Sequence, residues 1–185
     1  MEIIIDLEYI KEIAKEKDEE NWGFRAFLKQ LDMAPREIDA VVHRIAEEVV
    51  SQIDCTKCAN CCKQISPVLD KDDVSTFALG LKMPMSEFKE QYLIPDEEAP
   101  LNYRFKELPC PFLKNDRCSN YDYRPKDCRS YPHLHKKYFT SRLLGVIGNY
   151  EVCPIVFNTY EQLKTQLGHN NWRDDDDFEF GFEWE

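Results

Sequence analysis

The clearest hydrophobic pattern in the chain lies between residues 36 and 53. Apolar side chains recur there at intervals of three and four positions, as they do on one face of a helix. They are Ile38, Val41, Val42, Ile45, Ala46, Val49, Val50 and Ile53. Charged side chains fall on the other face, and Pro35 stands where a helix readily begins. The pattern predicts a helix over residues 36–53 that leads directly into a cysteine-rich segment.

Further helices are predicted before and after this one. Four of them are expected over residues 7–17, 22–31, 71–81 and 86–92. Asp70 and Ser86 are typical N-cap residues for the third and fourth. The last helix begins at Pro154 and ends before Gly168, because glycine readily adopts the left-handed backbone that stops a helix.

Strand and turn patterns occupy the middle of the chain. Residues 95–100 form an acidic, proline-bounded connection, and residues 101–108 alternate as a strand does. The pair Asn115-Asp116, between two short apolar stretches, is typical of a tight hairpin. Residues 138–147 are rich in β-branched and aromatic side chains and suggest another strand pair. The expected fold class is mainly α with small β hairpins (α+β).

The length of 185 residues suits one domain, which we expect over residues 1–172, followed by a tail over 173–185. Within the domain, the predicted regions are a helical N-terminal part (1–54), a cysteine region (55–153) and a C-terminal helix (154–168). The helical parts are expected to surround an irregular cysteine-rich core.

The tail is acidic and aromatic. Residues 174–185 carry seven Asp and Glu and no Lys or Arg, which accounts for most of the formal net charge of −11. Its alternating aromatic side chains are Phe178, Phe180, Phe182 and Trp184. Residues 110–142 hold eight Lys and Arg against three acids. Two interpretations stay open: a solvated tail, or a segment that docks on a protein partner or on the domain's own basic region.

Charge and hydropathy also limit the class of protein. No apolar run approaches the ~20 residues of a membrane helix, so we expect no membrane association. No basic stretch followed by a long apolar run opens the chain, and we expect no signal peptide and a cytoplasmic location. The net negative charge disfavours nucleic-acid binding, because phosphate contacts require a basic surface.

The candidate chemistry lies in the cysteines. In a reducing compartment, clustered cysteines are more often metal ligands or redox groups than disulfides. Four fall within eight residues, at Cys55, Cys58, Cys61 and Cys62. The first three have the spacing that brings thiols to one zinc ion or iron–sulfur cluster. Cys62 either turns to a second centre or fills the core. The remaining candidates are Cys110, Cys118, Cys128 and Cys153.

Other side chains are candidates for supporting roles. The histidines are His43, His133, His135 and His169, of which the second and third are the better candidates for a mixed site. Asp127 and Tyr121 are possible oxygen ligands, although structural roles are favoured for both. The cations Arg124, Lys126 and Arg129 are expected to donate hydrogen bonds to thiolates or sulfides. The alternative is that the arginines only pair with nearby Asp122 and Asp127.

The motifs together resemble a known family. In order, they are Cys55-x-x-Cys58-x-x-Cys61-Cys62, Cys110-Pro111-Phe112-Leu113, and Cys118-x-x-Tyr121-x-x-Arg124-Pro125-x-x-Cys128-Arg129-x-Tyr131-Pro132. This succession, over residues 50–155, resembles the CxxCxxCC or YkgJ-like cysteine cluster family, described as a zinc- or iron-chelating domain. Cys153-Pro154 is similar to the closing cysteine of that family. The resemblance implies that the eight cysteines bind Zn or an iron–sulfur cluster such as [4Fe–4S], as one or two centres.

The resemblance leaves three functions open. The first is a small cytoplasmic metal-binding protein with a structural, redox or metal-handling role. The second is a protein-modifying enzyme, because flagellin lysine N-methylases contain a similar cluster. Against it, the chain has neither a G-x-G-x-x-G run nor a P-loop, and no motif assigns catalytic residues. The third is an interaction module in which the metal is only structural and the tail recruits a partner.

Overall fold

The computed structural model describes residues 2–169, and the predicted tail over 173–185 lies outside this range. The chain forms two compact units. The discontinuous unit runs through Gln52 and resumes at Leu134, and the continuous unit is Ile53–His133. The expectation of one domain over 1–172 stays a prediction. None of the helices within the described range is long and apolar enough to cross a bilayer.

Helices dominate the described residues, and the predicted fold class is confirmed. The α-helices are α1 (Leu7–Glu16), α2 (Asp18–Gln30), α3 (Pro35–Val50), α4 (Asn60–Gln64), α5 (Lys71–Gly80), α6 (Met85–Tyr92), α7 (Lys126–Ser130), α8 (Leu143–Tyr150) and α9 (Pro154–Gln166). Short 3₁₀ helices are Cys55–Lys57, Tyr121–Tyr123 and Phe139–Arg142. The strands are β1 (Leu93–Pro95), β2 (Tyr103–Phe105), β3 (Leu113–Lys114) and β4 (Arg117–Cys118). They pair as two antiparallel hairpins, β1 with β2 and β3 with β4.

The discontinuous unit is built on the packing of α3 against α9. Pro35 begins α3 as predicted, and Glu37 Oε2 accepts a hydrogen bond from the N–H of Ala34 at 2.9 Å. The buried face of α3 follows the predicted spacing and consists of Ile38, Val42, Ile45, Ala46 and Val49. Helix α9 begins at Pro154, and Gly168 follows it with a φ of 75°, as expected of a helix stop.

The strand pair expected over residues 138–147 is wrong. The segment forms the 3₁₀ helix Phe139–Arg142 and then α8. Its buried side chains recur at helical intervals, at Leu143, Val146 and Tyr150. Packing of this face against α9 outweighs the β propensity of the individual residues.

The continuous unit has an aromatic core of its own. It consists of Leu69, Val74, Phe77, Ala78, Phe88, Leu93, Phe105 and Phe112. The rings of Phe77 and Phe112 meet edge to face with centroids 4.8 Å apart. Asp70 caps α5 as predicted, accepting from the N–H of Asp73 at 2.8 Å. The residue before α6 is Pro84, so the predicted cap at Ser86 is wrong.

The hairpin of β3 and β4 forms as predicted. Asn115 and Asp116 both adopt left-handed backbone conformations, with φ of 50° and 57°. Positive φ at both central residues is the signature of a type I′ turn, whose twist matches that of the strands. The turn places Cys118 opposite Leu113 in the hairpin register.

Candidate metal centre

The first cysteine segment is shaped by two local features. The carboxylate of Asp54 accepts from the N–H of Thr56 at 3.0 Å and begins the 3₁₀ helix Cys55–Lys57. Ala59 then adopts a left-handed conformation with φ of 52°, which turns the chain into α4. Helix α4 carries Cys61 and Cys62. As a result Cys55 is exposed, whereas the other three cysteines of the segment are partly buried.

The second segment meets the first through the backbone. The N–H of Cys110 donates to the carbonyl of Cys62 at 2.8 Å. A turn follows, closed by a hydrogen bond of 2.9 Å from the N–H of Leu113 to the carbonyl of Cys110. Hydrogen bonding from the backbone of Phe112 and Leu113 acts to lower the pKa of the Cys110 thiol, although burial outweighs it. Such donors stabilise a thiolate.

The third segment is the return strand of the short hairpin. Cys118 ends β4, and the N–H of Asn120 donates to its sulfur. The side chain of Asn120 is buried and donates to the carbonyl of Phe77 at 2.9 Å. The backbone beyond Cys118 is therefore held against α5.

The fourth segment is α7, which carries Cys128. Two acidic side chains anchor its first turn. The N–H of Lys126 donates to Asp73 Oδ1 at 2.9 Å, and Asp127 Oδ2 accepts from the N–H of Val68 at 3.2 Å. Asp127 therefore has the structural role that the sequence favoured.

The four segments bring together four thiols, which we call the inner cluster: Cys62, Cys110, Cys118 and Cys128. Burial raises the pKa of Cys128 to about 12, and the charges of the other three thiols add to this rise. Burial likewise raises the pKa of Cys110 to about 11, with contributions from Cys62 and Cys118. Mutual repulsion of this kind arises only between thiols that lie close together.

Cys62 behaves differently from the rest of the inner cluster. A hydrogen bond with the Cys61 side chain lowers its pKa to about 7, against the effect of desolvation, and Arg124 and Lys63 contribute to the lowering. Thiolates are favoured by nearby cations and by donors directed at the sulfur. Cys62 is therefore the most readily ionised member of the inner cluster.

The two cations are held in place by other contacts. The guanidinium of Arg124 lies 3.3 Å from the centroid of the Tyr121 ring, and its Nε donates to the Tyr121 carbonyl at 2.9 Å. Lys63 Nζ lies 2.7 Å from Asp116 Oδ1. The sequence indicated Arg124 as a cation for the thiols, and its charge acts on Cys62, but its predicted hydrogen bond to a thiolate stays a prediction. The sequence analysis missed Lys63, although its position directly after Cys62 was a signal. Lys126 instead pairs with Asp70 at 2.7 Å.

A second, smaller group of thiols lies in the first segment. Partial desolvation, then the charges of the Cys58 thiol and the Asp54 carboxylate, raise the pKa of Cys55, although the residue is exposed. Lys63 interacts with Cys58 as well as with Cys62. Cys61 is engaged with Cys62 through its side chain. The expected common centre of Cys55, Cys58 and Cys61 stays a prediction.

The remaining candidates have other positions. Cys153 belongs to the discontinuous unit, where it is buried at the start of α9 and its N–H donates to the Asn149 carbonyl at 2.9 Å. His133 Nε2 lies 3.1 Å from Asp127 Oδ1, and its Nδ1 lies 2.6 Å from Ser130 Oγ. His133 therefore helps to fix α7, next to Cys128 in sequence.

The other histidines belong to the discontinuous unit. The ring of His169 packs against Phe24 and Phe27, with centroids 4.9 and 5.3 Å away. His43 Nε2 lies 3.5 Å from the carbonyl oxygen of Lys136. His135 is exposed.

The inner cluster fits zinc or iron in its donor chemistry. Soft sulfur donors select these metals, and N–H groups directed at sulfur support thiolates. No disulfide joins any of the eight cysteines. Within residues 2–169, however, no three or more Cys, His, Asp and Glu side chains are arranged closely enough to hold a metal ion. The donor types and their backbone support fit, whereas the spacing of the sulfurs would have to contract.

Comparison with known proteins agrees with these cysteine motifs. Residues 54–144 match the model of the CxxCxxCC family, described as "Putative zinc- or iron-chelating domain". No curated protein and no solved structure gives a significant match. The matched range includes every cysteine except Cys153, which the sequence pattern had added as a closing residue. Over residues 54–144, the chain therefore belongs to the CxxCxxCC family of zinc- or iron-chelating domains.

Proposed function

We propose that the continuous unit binds one Zn²⁺ ion or one iron–sulfur cluster through the inner cluster, Cys62, Cys110, Cys118 and Cys128. The observation that carries this proposal is the convergence of four partly buried thiols from four separate segments, which would repel one another once ionised as metal ligands. Bringing like charges together is unfavourable unless a cation compensates them. A bound metal supplies that compensation and would draw the sulfurs into its coordination shell.

Charge balance supports the same proposal. Four thiolates and one Zn²⁺ ion leave two negative charges, in the Cys₄ arrangement typical of structural zinc. Arg124 and Lys63 interact with the inner cluster and together supply two positive charges. Burial of the centre would then leave little net charge, which lowers its desolvation cost. An iron–sulfur cluster bound by four cysteines would gain from the same two cations.

The proposed role is metal handling or redox chemistry, with the metal more than a structural support. The continuous unit already has an aromatic core of eight buried side chains, none of them a proposed ligand, although Cys110 packs against it. Cys62, Cys110, Cys118 and Cys128 are partly exposed rather than fully buried, so a solvent-borne partner can reach the centre. Closed structural zinc sites in small domains, by contrast, supply most of the folding energy.

Metal analysis of anaerobically purified protein, combined with a visible spectrum, tests the proposal. We expect stoichiometric metal: colourless protein with zinc, or brown protein with iron and sulfide. Cys128→Ser and Cys118→Ser should each abolish it, because each removes one ligand of the same centre. Metal-free wild-type protein purified without oxygen contradicts the proposal, as does full metal retention in both variants.

The same metal analysis tests whether the remaining cysteines bind a second metal. Cys55, Cys58, Cys61 and Cys153 stay predicted ligands, and a second metal equivalent that is lost with Cys58→Ser would support a second centre. Circular dichroism after chelation distinguishes the roles. Retained helical signal supports metal handling or redox chemistry, and unfolding supports a structural metal. Heat released on adding S-adenosylmethionine would instead favour the methylase-like alternative.

A further inference from the structure

A groove lies on the surface of the discontinuous unit, and five of its eight lining residues are apolar. It has a volume of about 250 Å³ and is lined by Leu28, Lys29, Leu31, Met33, Ile38 and Thr140, among others. We call it the α2–α3 groove, because its walls come from the end of α2, the start of α3 and the 3₁₀ helix Phe139–Arg142. Leu28 and Ile38 are buried and form its floor, whereas Lys29 is exposed at its edge.

The segment beside the groove is basic. Residues 134–142 contain Lys136, Lys137 and Arg142 and no acidic residue. Three acids lie close to the groove in sequence. The carboxylate of Asp39 accepts hydrogen bonds from two backbone N–H groups of this segment, and the carboxylate of Glu37 accepts one from the N–H of Ala34. The third acid is Asp32. Apolar walls and basic surroundings favour an acidic ligand with hydrophobic side chains.

Tyr138 adds a constrained aromatic side chain to the same segment. It adopts a φ of 59° and is 66% exposed. A non-glycine residue in the left-handed region costs free energy, and such residues concentrate at functional sites. Here the carboxylate of Asp39 maintains the conformation through the N–H groups of Tyr138 and Phe139, each at 2.8 Å. The aromatic ring is therefore held at the surface two residues before Thr140.

The described chain ends beside this groove. His169, its last residue, packs against Phe24 and Phe27 of α2. Phe27 and Leu31 are four positions apart, so about one helical turn, roughly 6 Å, separates that contact from the groove. Phe178 follows His169 by nine residues, which span up to ~30 Å when extended. The groove lies well within the reach of the segment that follows.

We propose that the acidic-aromatic tail, residues 173–185 of the same chain, is the ligand of the α2–α3 groove. Its chemistry matches the groove: phenylalanines alternate with acids, so apolar side chains can enter while carboxylates face Lys29 and the basic segment. Attachment to the same chain gives the tail a high effective concentration, so even weak contacts suffice. The groove would thus have a built-in occupant.

Hydrogen–deuterium exchange on the full chain tests this proposal. The amides of residues 28–31 and 138–142 report on the groove, and those of α9 serve as an internal reference. Replacing the tail aromatics (F178S/F180S/F182S) should accelerate exchange in both stretches at least about threefold. Lys29→Glu should act in the same direction, and so should about 1 M NaCl, because the Debye length falls to ~3 Å. Lys11→Glu, an exposed charge reversal on α1, is the matched control and should change nothing.

Two results would overturn the proposal. In the first, exchange in the groove is the same in wild type and in the tail variant. In the second, protection in the wild type rises with protein concentration and sedimentation shows a dimer, so that a second copy covers the groove. Equal acceleration in α9 would reveal general destabilisation. In that case the single substitution Phe180→Ser is measured, provided that its urea midpoint equals that of the wild type. Faster exchange in the groove of this variant supports the proposal, and unchanged exchange overturns it.

Discussion

Lys164 Nζ donates to Glu161 Oε1 at 2.6 Å inside the discontinuous unit, where the lysine side chain is 1% exposed. Glu20 Oε1 accepts from the same ammonium at 2.8 Å, and the Tyr150 hydroxyl donates to Glu161 at 2.8 Å. Lys17 also pairs with Glu161. One buried cation thus satisfies two carboxylates from different helices, which links α2 to α9.

Replacement of this lysine should be costly. Lys164→Met leaves Glu20 and Glu161 without their buried cation, and breaking such a pair from one side costs about 3–5 kcal/mol. We expect a large fall in the urea midpoint. Lys17→Met is the control, since this lysine is 34% exposed and its pair with Glu161 should contribute only about 0–1 kcal/mol. Equal losses in the two variants would contradict the assigned role of Lys164.

The same carboxylate should make the discontinuous unit sensitive to acid. Burial raises the pKa of Glu161, but Lys164, Lys17 and Tyr150 together outweigh this and hold it below its usual value. A depressed folded pKa stabilises the fold above the unfolded pKa of ~4.3, and this stabilisation is lost as the pH falls further. Glu161→Gln should therefore be less stable at neutral pH and show a flatter stability profile below about pH 5. Parallel profiles for variant and wild type would count against this assignment.

The end of α5 should not tolerate a side chain. A Cβ on Gly80 would lie 2.2 Å from Asn120 Oδ1 and 2.5 Å from the Tyr123 ring. Gly80→Ala should therefore destabilise the continuous unit by about 1–3 kcal/mol. It should also weaken metal binding, because Asn120 supports the backbone next to Cys118.

Gly23→Ala is the matched control for that substitution. A Cβ at this helical position meets nothing within 4 Å. Alanine is favoured over glycine in a helix by roughly 0.5–1 kcal/mol, so this variant should be slightly more stable. Thermal melts of the two variants should shift in opposite directions, and a shift of the same sign would refute the steric argument.

Asp39 should be essential for the conformation of Tyr138. Asp39→Ala removes the acceptor of two backbone N–H groups, at a cost of about 3 kcal/mol if each charge-assisted bond contributes about 1.5 kcal/mol. Asp39→Asn keeps one carbonyl oxygen as an acceptor, so its free energy of unfolding should fall by about half as much. Chemical denaturation of the three proteins measures the order, and an asparagine variant as unstable as the alanine variant would contradict the expected contribution of the remaining carbonyl oxygen.

The parts of the fold that were predicted correctly depend on local chemistry. Pro35 and the spacing of Ile38, Val42 and Ile45 determine α3, and the Asn115-Asp116 pair determines a tight turn. The error over residues 138–147 has a tertiary cause. The buried face of α8 is apparent only when its packing against α9 is known.

The grouping of the thiols could not be read from spacing. Cys61 and Cys62 are adjacent, yet Cys62 joins thiols that are up to 66 positions away, at Cys128. The left-handed backbone at Ala59 contributes to this outcome, and alanine gives no sign of it in a sequence. The cysteines could be predicted as ligands from their number and motifs, whereas which thiols lie near one another depends on how distant turns meet.

The division of the chain at Gln52 and Leu134 has a consequence for synthesis on the ribosome. Helix α3 emerges first, but α9, which covers its apolar face, is made only after the whole of Ile53–His133. The nascent chain must therefore keep that face soluble during translation of residues 51–153, which takes several seconds or more at about 5–20 residues per second. At the end of Ile53–His133, the proposed metal-binding segment is complete while α9 has still to be translated.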